Sequence, residues 1–142
     1  MREKTLNLLG LMRRANALAL GETNTGAAAR SRKMRLLLLA ADASENARRR
    51  AEGFARERSF PLVELPFTKE EISAHVGVGG CSMAAVTDMG FADALLRLLA
   101  AQWPERYGEA AGETAARYEK MKRRRREPDG HGKRNGKRRT DV

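Results

Sequence analysis

Gly21 and Gly26 stand five positions apart in GETNTGAAARSRKMR, residues 21–35. Glycines at that spacing open the phosphate-cradling loop of nucleoside triphosphatases. That loop continues with Lys and then Ser or Thr, because the ammonium contacts the β- and γ-phosphates and the hydroxyl binds magnesium. Here the chain has Ala27 and Ala28, which do neither, and the strongest strand-like run follows the helix instead of preceding it. Both facts argue against triphosphate hydrolysis. A different phosphate chemistry remains open. Backbone amides at a helix N-terminus point outward and attract phosphate. Glu22, Thr23 and Asn24 add groups able to meet base edges, and Arg30, Arg32 and Lys33 add positive charge nearby. On local chemistry alone, an ordinary capped surface helix explains the stretch equally well.

Little else in the chain points to catalysis. His75 and His131 lie far apart in unlike settings, and no Cys/His cluster has metal-ligand spacing. The expectation is a chain without metal, cofactor or enzymatic activity. Cys81 is the one cysteine. It permits no intramolecular disulfide, which fits a reducing compartment, and it reads as a small buried residue. Asp42, Asp88 and Glu71 read as helix caps, and His75 as a complement to a helix C-terminus.

Charge supplies the stronger functional signal. The formal net charge is +10 and the pI is near 10.6. Residues 104–142 contribute +6 of it, and residues 120–142 alone are at +8. Such a basic block selects polyanionic partners, with nucleic acid ahead of an anionic membrane surface. The run KMKRRRR, Lys120 to Arg126, packs like charges that repel unless a polyanion neutralises them. Its members Lys122, Arg123, Arg124 and Arg125 are candidate phosphate contacts, with Tyr118 the nearest aromatic. This run should therefore add affinity more than sequence choice. The N-terminal stretch has neither a long apolar run nor a cleavage site. The expectation is a cytoplasmic protein with no membrane attachment, acting as a monomer.

These side chains need a scaffold, and the pattern of apolar residues predicts one. Lys4 to Ala15 reads as a helix with Leu8, Met12 and Ala15 on one face and Leu11 beside them. Asn16 tolerates the left-handed conformation that stops it. Ala17 to Leu20 is a short extended piece. A helix over Glu22 to Arg32 follows, capped by Thr23 or Asn24. Arg35 to Ala41 is an unbroken apolar run, as in a strand buried on both faces. A helix from Asp42–Glu45, with Ala47, Ala51, Phe54 and Ala55 inward, leads to a strand at Leu62–Leu65. Thr68 and Glu71 form a capping box for a helix running to about Val76. Gly77 to Ser82 is a glycine loop, Met83 to Thr87 a strand, and Asp88 caps a helix carrying Phe91, Leu95, Leu98 and Leu99. Alternating helices and strands make a layered α/β sandwich. The composition changes after Trp103–Pro104. Residues 1–103 read as the domain and 104–142 as a basic tail, helical from about Thr114 and disordered from Pro128.

At this point the residues resemble a known family. LLGLMRRANALALGETNTGAAARSRKMRLLLLAADAS is similar to the first half of the kink-turn RNA-binding ribosomal-protein family of the L-seven-Ae type. FTKEEISAHVG followed by MAAVTDMGFADALLRLL is similar to its second half, and the bacterial YlxQ-like branch is the best match. The likeness runs in order from about residue 4 to residue 100 without large gaps. It implies a three-layer α-β-α sandwich with a mixed four-stranded sheet. It also implies binding to kinked RNA with sheared G·A pairs, through the N-terminus of the second helix and the loop before the last strand. That gives Gly21, Glu22, Thr23 and Asn24 on one side and Gly79, Gly80 and Cys81 on the other. The family pattern after the glycine is a variable residue, Asn-Glu, two residues and Lys; the chain has Thr23, Asn24 and Ala27 at the corresponding Asn, Glu and Lys positions. A good base contact is worth roughly 1–3 kcal/mol, so Ala27 forfeits one contact the family makes.

The combined expectation is a non-catalytic protein that recognises structured, kink-turn-like RNA, in a ribosome-associated setting. Arg13, Arg14, Arg30, Arg32 and Lys33 are the expected phosphate contacts. The rival reading is a protein-interaction module whose basic tail alone touches RNA, without specificity. A substrate-binding accessory of an RNA-methylating enzyme is a third.

Overall fold

The computed structural model describes residues 2–79 and 81–126. Leu36–Leu39 (β2) shows how the layers arise. Side chains alternate across a strand, and all four of these leucines are buried. Leu36 and Leu38 pack into one apolar cluster, while Leu37 and Leu39 pack into another on the opposite face. An uninterrupted apolar run is what a strand covered on both faces requires.

The sheet holds β1 (Leu18–Leu20), β2, β3 (Leu62–Glu64) and β4 (Met83–Val86), in the order β1-β4-β2-β3. β4 runs antiparallel to both β1 and β2, and β2 is parallel to β3. Helices α1 (Arg2–Arg14), α4 (Lys69–Val76), α5 (Met89–Gln102) and α6 (Pro104–Arg126) cover one face. Helices α2 (Gly21–Arg30) and α3 (Glu45–Arg58) cover the other. This is the expected three-layer sandwich with a mixed four-stranded sheet. On the α2–α3 side the core is largely alanine: Ala28 and Ala29 meet Ala47, Ala51 and Ala55. Small side chains let these helices lie close to the sheet.

Several local expectations hold at atomic detail. Asn16 adopts φ 61° at the end of α1. The Thr68–Glu71 capping box is present in both directions, and the Asp88 side chain accepts from the Phe91 amide. Others need correction. The buried stripe of α1 is Leu6, Leu9 and Met12; Leu11 is 47% exposed and Ala15 lies outside the core. The stripe is set by contact with α4, where a Cβ on Gly10 would come within 2.8 Å of the His75 carbonyl oxygen. Asp42 does not cap the helix that follows it, because Ser44 does. Its carboxylate accepts from the Lys69 amide at 2.8 Å, in the first turn of α4. Helix α6 starts at Pro104, ten residues before the expected Thr114. Tyr107, 2% exposed, joins the main core, edge-on to Trp103, with its hydroxyl donating to the Glu64 carbonyl. The anchor that extends this helix is a long-range contact. His131 and the stretch from Pro128, expected to be disordered, lie outside the described residues.

Candidate nucleic-acid interface

Helix α2 leaves β1 without a connecting loop. Gly21 takes φ +87°, while a Cβ there would meet nothing within 4 Å. The glycine is required by backbone conformation, not by crowding, since a β-carbon is disfavoured at positive φ. This turn fixes the direction in which the first-turn amides of α2 point. Because the helix begins at Gly21, Thr23 and Asn24 fall inside its first turns and do not cap it. The preceding residue, Leu20, supplies no side-chain cap, so the first-turn amides beyond Gly21 remain open to an external acceptor. The Asn24 side-chain nitrogen donates to the Leu20 carbonyl at 2.9 Å. One N–H and the side-chain carbonyl are then left to face outward.

The loop before β4 lies against this turn. The backbone amide of Gly21 faces the Cys81 sulfur, and burial pushes the Cys81 thiol above its ordinary range, an effect the amide partly offsets. A buried, neutral thiol is a packing group, not a nucleophile. Cys81 is thus the joint that brings the Gly77–Ser82 loop beside the start of α2. Val78 and Gly79 are exposed on that loop. Val78 is one of two large apolar residues that face solvent among the described residues. Gly80 lies outside the described residues.

Below this joint an open cleft of about 680 Å³ runs along the free edge of β1. Its walls include Arg13 near the end of α1 and Asn16 just past it, Asn24 and Ala27 from α2 and its C-cap Ser31, and Lys33 and Val78. Three sequence-predicted residues, Arg13, Asn24 and Lys33, therefore share one concavity with Ala27. Asn16, Ser31 and Val78 were not anticipated. Ser31 and Asn24 sit seven residues apart, two turns along one helix face, a spacing that was available in the sequence.

Other candidates go elsewhere. Glu22 pairs with Arg50 of α3 at 2.6 Å, so its carboxylate is engaged away from the cleft. Thr23, Arg14 and Arg30 are exposed but do not line it. Arg32 has φ 64° and turns toward a second concavity with Arg35, Arg58 and Phe60. Lys122 lies over the Tyr118 ring at 4.5 Å and pairs with Glu119 at 3.4 Å. Arg123, Arg124 and Arg125 are exposed on α6. Among the described residues no cluster of His, Cys, Asp and Glu is arranged to hold a metal ion, and no helix is long and apolar enough to cross a membrane.

The chain is 35% identical over 91 residues to the RNA-binding protein YlxQ of Enterococcus faecium, spanning 64% of this chain and 86% of that protein. Its fold is similar to the solved structure of a protein of unknown function from Bacillus halodurans, with a TM-score of 0.62 and 25% identity, over 67% of this chain and 95% of the other. No family model matches. Both relatives are matched over most of their own length, and each match leaves about a third of this chain uncovered.

Proposed function

This chain belongs to the YlxQ-like branch of the L-seven-Ae-type family, and on that premise we propose that it is a non-catalytic RNA-binding protein that reads a kinked RNA along the edge formed by α2 and the Gly77–Ser82 loop. The observation that carries the reading is the β1–β4 register, with Leu20 opposite Ala84, which sets Gly21 beside the loop that carries Cys81. It supports a single surface made from two segments sixty residues apart in sequence. The open first-turn amides meet phosphate, and Asn24 offers both a donor and an acceptor to a base edge. Val78 offers an apolar contact to an unstacked base.

The cleft also bears on Ala27. A family lysine would place an ammonium there. Arg13 and Lys33 line the same cleft, so positive charge is supplied lower along the β1 edge. Phosphate contacts position an RNA and base contacts specify it. Affinity is then retained with a narrower base-reading edge. The basic extension, residues 104–142, fastens to neighbouring phosphates. The setting that fits is ribosomal or ribosome-associated RNA in the cytoplasm, bound by a monomer.

The test compares a kink-turn RNA with the same RNA carrying Watson–Crick pairs in place of its G·A pairs, at about 0.15 M salt, where screening is physiological. The full-length chain should prefer the first by about tenfold, the worth of one good base contact. Thr23→Ala with Asn24→Ala should abolish that preference. An unchanged preference in the double variant rules out this edge. Equal weak binding of both RNAs by the wild type favours the protein-interaction module with an unspecific basic tail.

A further inference from the structure

A second basic concavity lies at the other end of the sheet. Arg35 precedes β2 and Phe60 precedes β3, whereas Gly21 follows β1, which ends beside the start of β4. Helix α6 closes this concavity from the side, making a groove of about 510 Å³ lined by Arg35, Arg58, Phe60, Arg117, Lys120 and Arg124, with Met89 and Met121 in its floor. Arg117, Lys120 and Arg124 are spaced three and four residues apart, so one stripe of α6 presents all three. The adjoining concavity adds Arg32 and one carboxylate, Glu57.

These cations are held in place, and all but Arg117 lack a carboxylate partner among the described residues. The guanidiniums of Arg117 and Arg35 lie over the Phe60 ring at 4.7 and 5.9 Å. Arg117 also donates to the Ser59 carbonyl and pairs with Glu113. Arg58 donates to the carbonyls of Ala29 and Arg30, and Arg35 to that of Arg32. Among the described residues, neither Arg35, Arg58, Lys120 nor Arg124 pairs with a carboxylate. Gathering unpaired cations into one groove is unfavourable until a polyanion fills it. An apolar floor and flat guanidinium planes, edged by charge, suit the bases and phosphates of an unpaired strand.

We propose, building on the RNA-binding reading above, that this groove between α6 and the Phe60 turn is a second RNA site that holds a single-stranded segment without sequence preference. The turn from Ser31 to Arg35 connects the two surfaces: Lys33 lines the β1-edge cleft, Arg35 lines the groove, and Arg32 lines the concavity that adjoins it. A strand leaving the first site has a continuous cationic path into the second.

The probe is a fluorescein-labelled oligouridylate of about twelve nucleotides, within the range one strand-binding groove occupies. Its binding to the full chain is followed by anisotropy from about 0.05 to 0.2 M salt. Lys120→Glu with Arg124→Glu reverses two exposed charges inside the groove. Arg123→Glu with Arg125→Glu reverses two exposed charges on the same helix that do not line it. The net charge change is identical. The groove pair should weaken binding by about tenfold or more and flatten the salt dependence by about 1.4, from ~0.7 per lost single-strand phosphate contact. The control pair should weaken it much less. Equal losses in the two charge-reversed pairs, or no loss in either, would overturn the proposal. So would displacement of the probe by polyglutamate as readily as by unlabelled oligouridylate, which would assign the groove to an acidic protein. The kink-turn comparison reports separately on the α2 edge. A wild type that prefers the kink but ignores oligouridylate sinks the groove alone.

Discussion

Replacing Tyr107 tests whether α6 belongs to the folded core, on which the geometry of the Phe60 groove depends. Tyr107 is 2% exposed, sits edge-on to Trp103 at 6.2 Å, and donates its hydroxyl to the Glu64 carbonyl. Tyr107→Phe keeps the ring and removes that hydrogen bond. The Glu64 carbonyl still accepts from Arg106 at 3.3 Å, so the cost should be about 0.5–1 kcal/mol, at the low end for a net hydrogen bond. Tyr107→Ala also removes the ring, which puts the cost in the range of about 3–5 kcal/mol for buried aromatics. For a chain of this size each kcal/mol lowers Tm by about 3–4 °C. Thermal melts followed by far-ultraviolet circular dichroism should show the Phe variant about 2–4 °C below wild type and the Ala variant more than about 10 °C below. An Ala variant melting with the wild type would mean that α6 is an appendage, and the groove cations would then have no fixed geometry.

Two further outcomes follow from packing and capping. Gly10→Ala should destabilise the chain by up to about 2 kcal/mol in urea unfolding, because the new methyl would meet the His75 backbone at 2.8 Å and an overpacking cost of about 1–3 kcal/mol outweighs the ~1 kcal/mol gain in helix propensity; a more stable variant would refute the α1–α4 contact. Glu71 accepts from the Thr68 amide and pairs with Arg2, which together hold its carboxyl below the usual range. A depressed folded-state value means the stabilisation is complete above the ordinary glutamate value and is lost as pH falls through the depressed one. The stability difference between wild type and Glu71→Gln should therefore be constant near neutrality and shrink in acid, whereas a difference that grows in acid would contradict the capping box.

The legible parts of the sequence were those whose signal is local. Leu36–Leu39 announces a doubly covered strand because burial on both faces leaves no polar position. Thr68 with Glu71, Asp88, and Asn16 announce helix ends because each works through a backbone within a few residues. What escaped depends on partners distant in sequence. Asp42 caps a helix 27 residues on. Tyr107 begins α6 early because it reaches a carbonyl 43 residues back. The α1 stripe was placed one residue off because apolar spacing gives an amphipathic face but not the neighbour that selects it, and Leu11 is as apolar as Leu9. At the candidate site, the turn at Gly21 was readable from residue type. The cleft was not, since its walls come from the end of α1, one face of α2 and the loop before β4. Arg32 and Lys33, adjacent in sequence, were grouped by charge. The left-handed backbone at Arg32 sends them to different surfaces.

Specificity and affinity should also separate under salt. On the proposed reading, only the turn at Gly21, the face at Asn24 and the loop at Val78 distinguish a kinked RNA from a straight one, whereas the Arg13 and Lys33 ends of the cleft and the Phe60 groove meet phosphates, which both RNAs carry. Neutralising about four phosphates gives a logarithmic slope near −3, so affinity should fall about fifty-fold between 0.05 and 0.2 M salt. The ratio of affinities for the kink-turn RNA and its Watson–Crick counterpart should stay nearly constant over the same range, because the shared phosphate contacts cancel. If that ratio collapses together with the affinity, the apparent preference was itself electrostatic, arising from the denser phosphates of a bent backbone, and Asn24 is not reading a base.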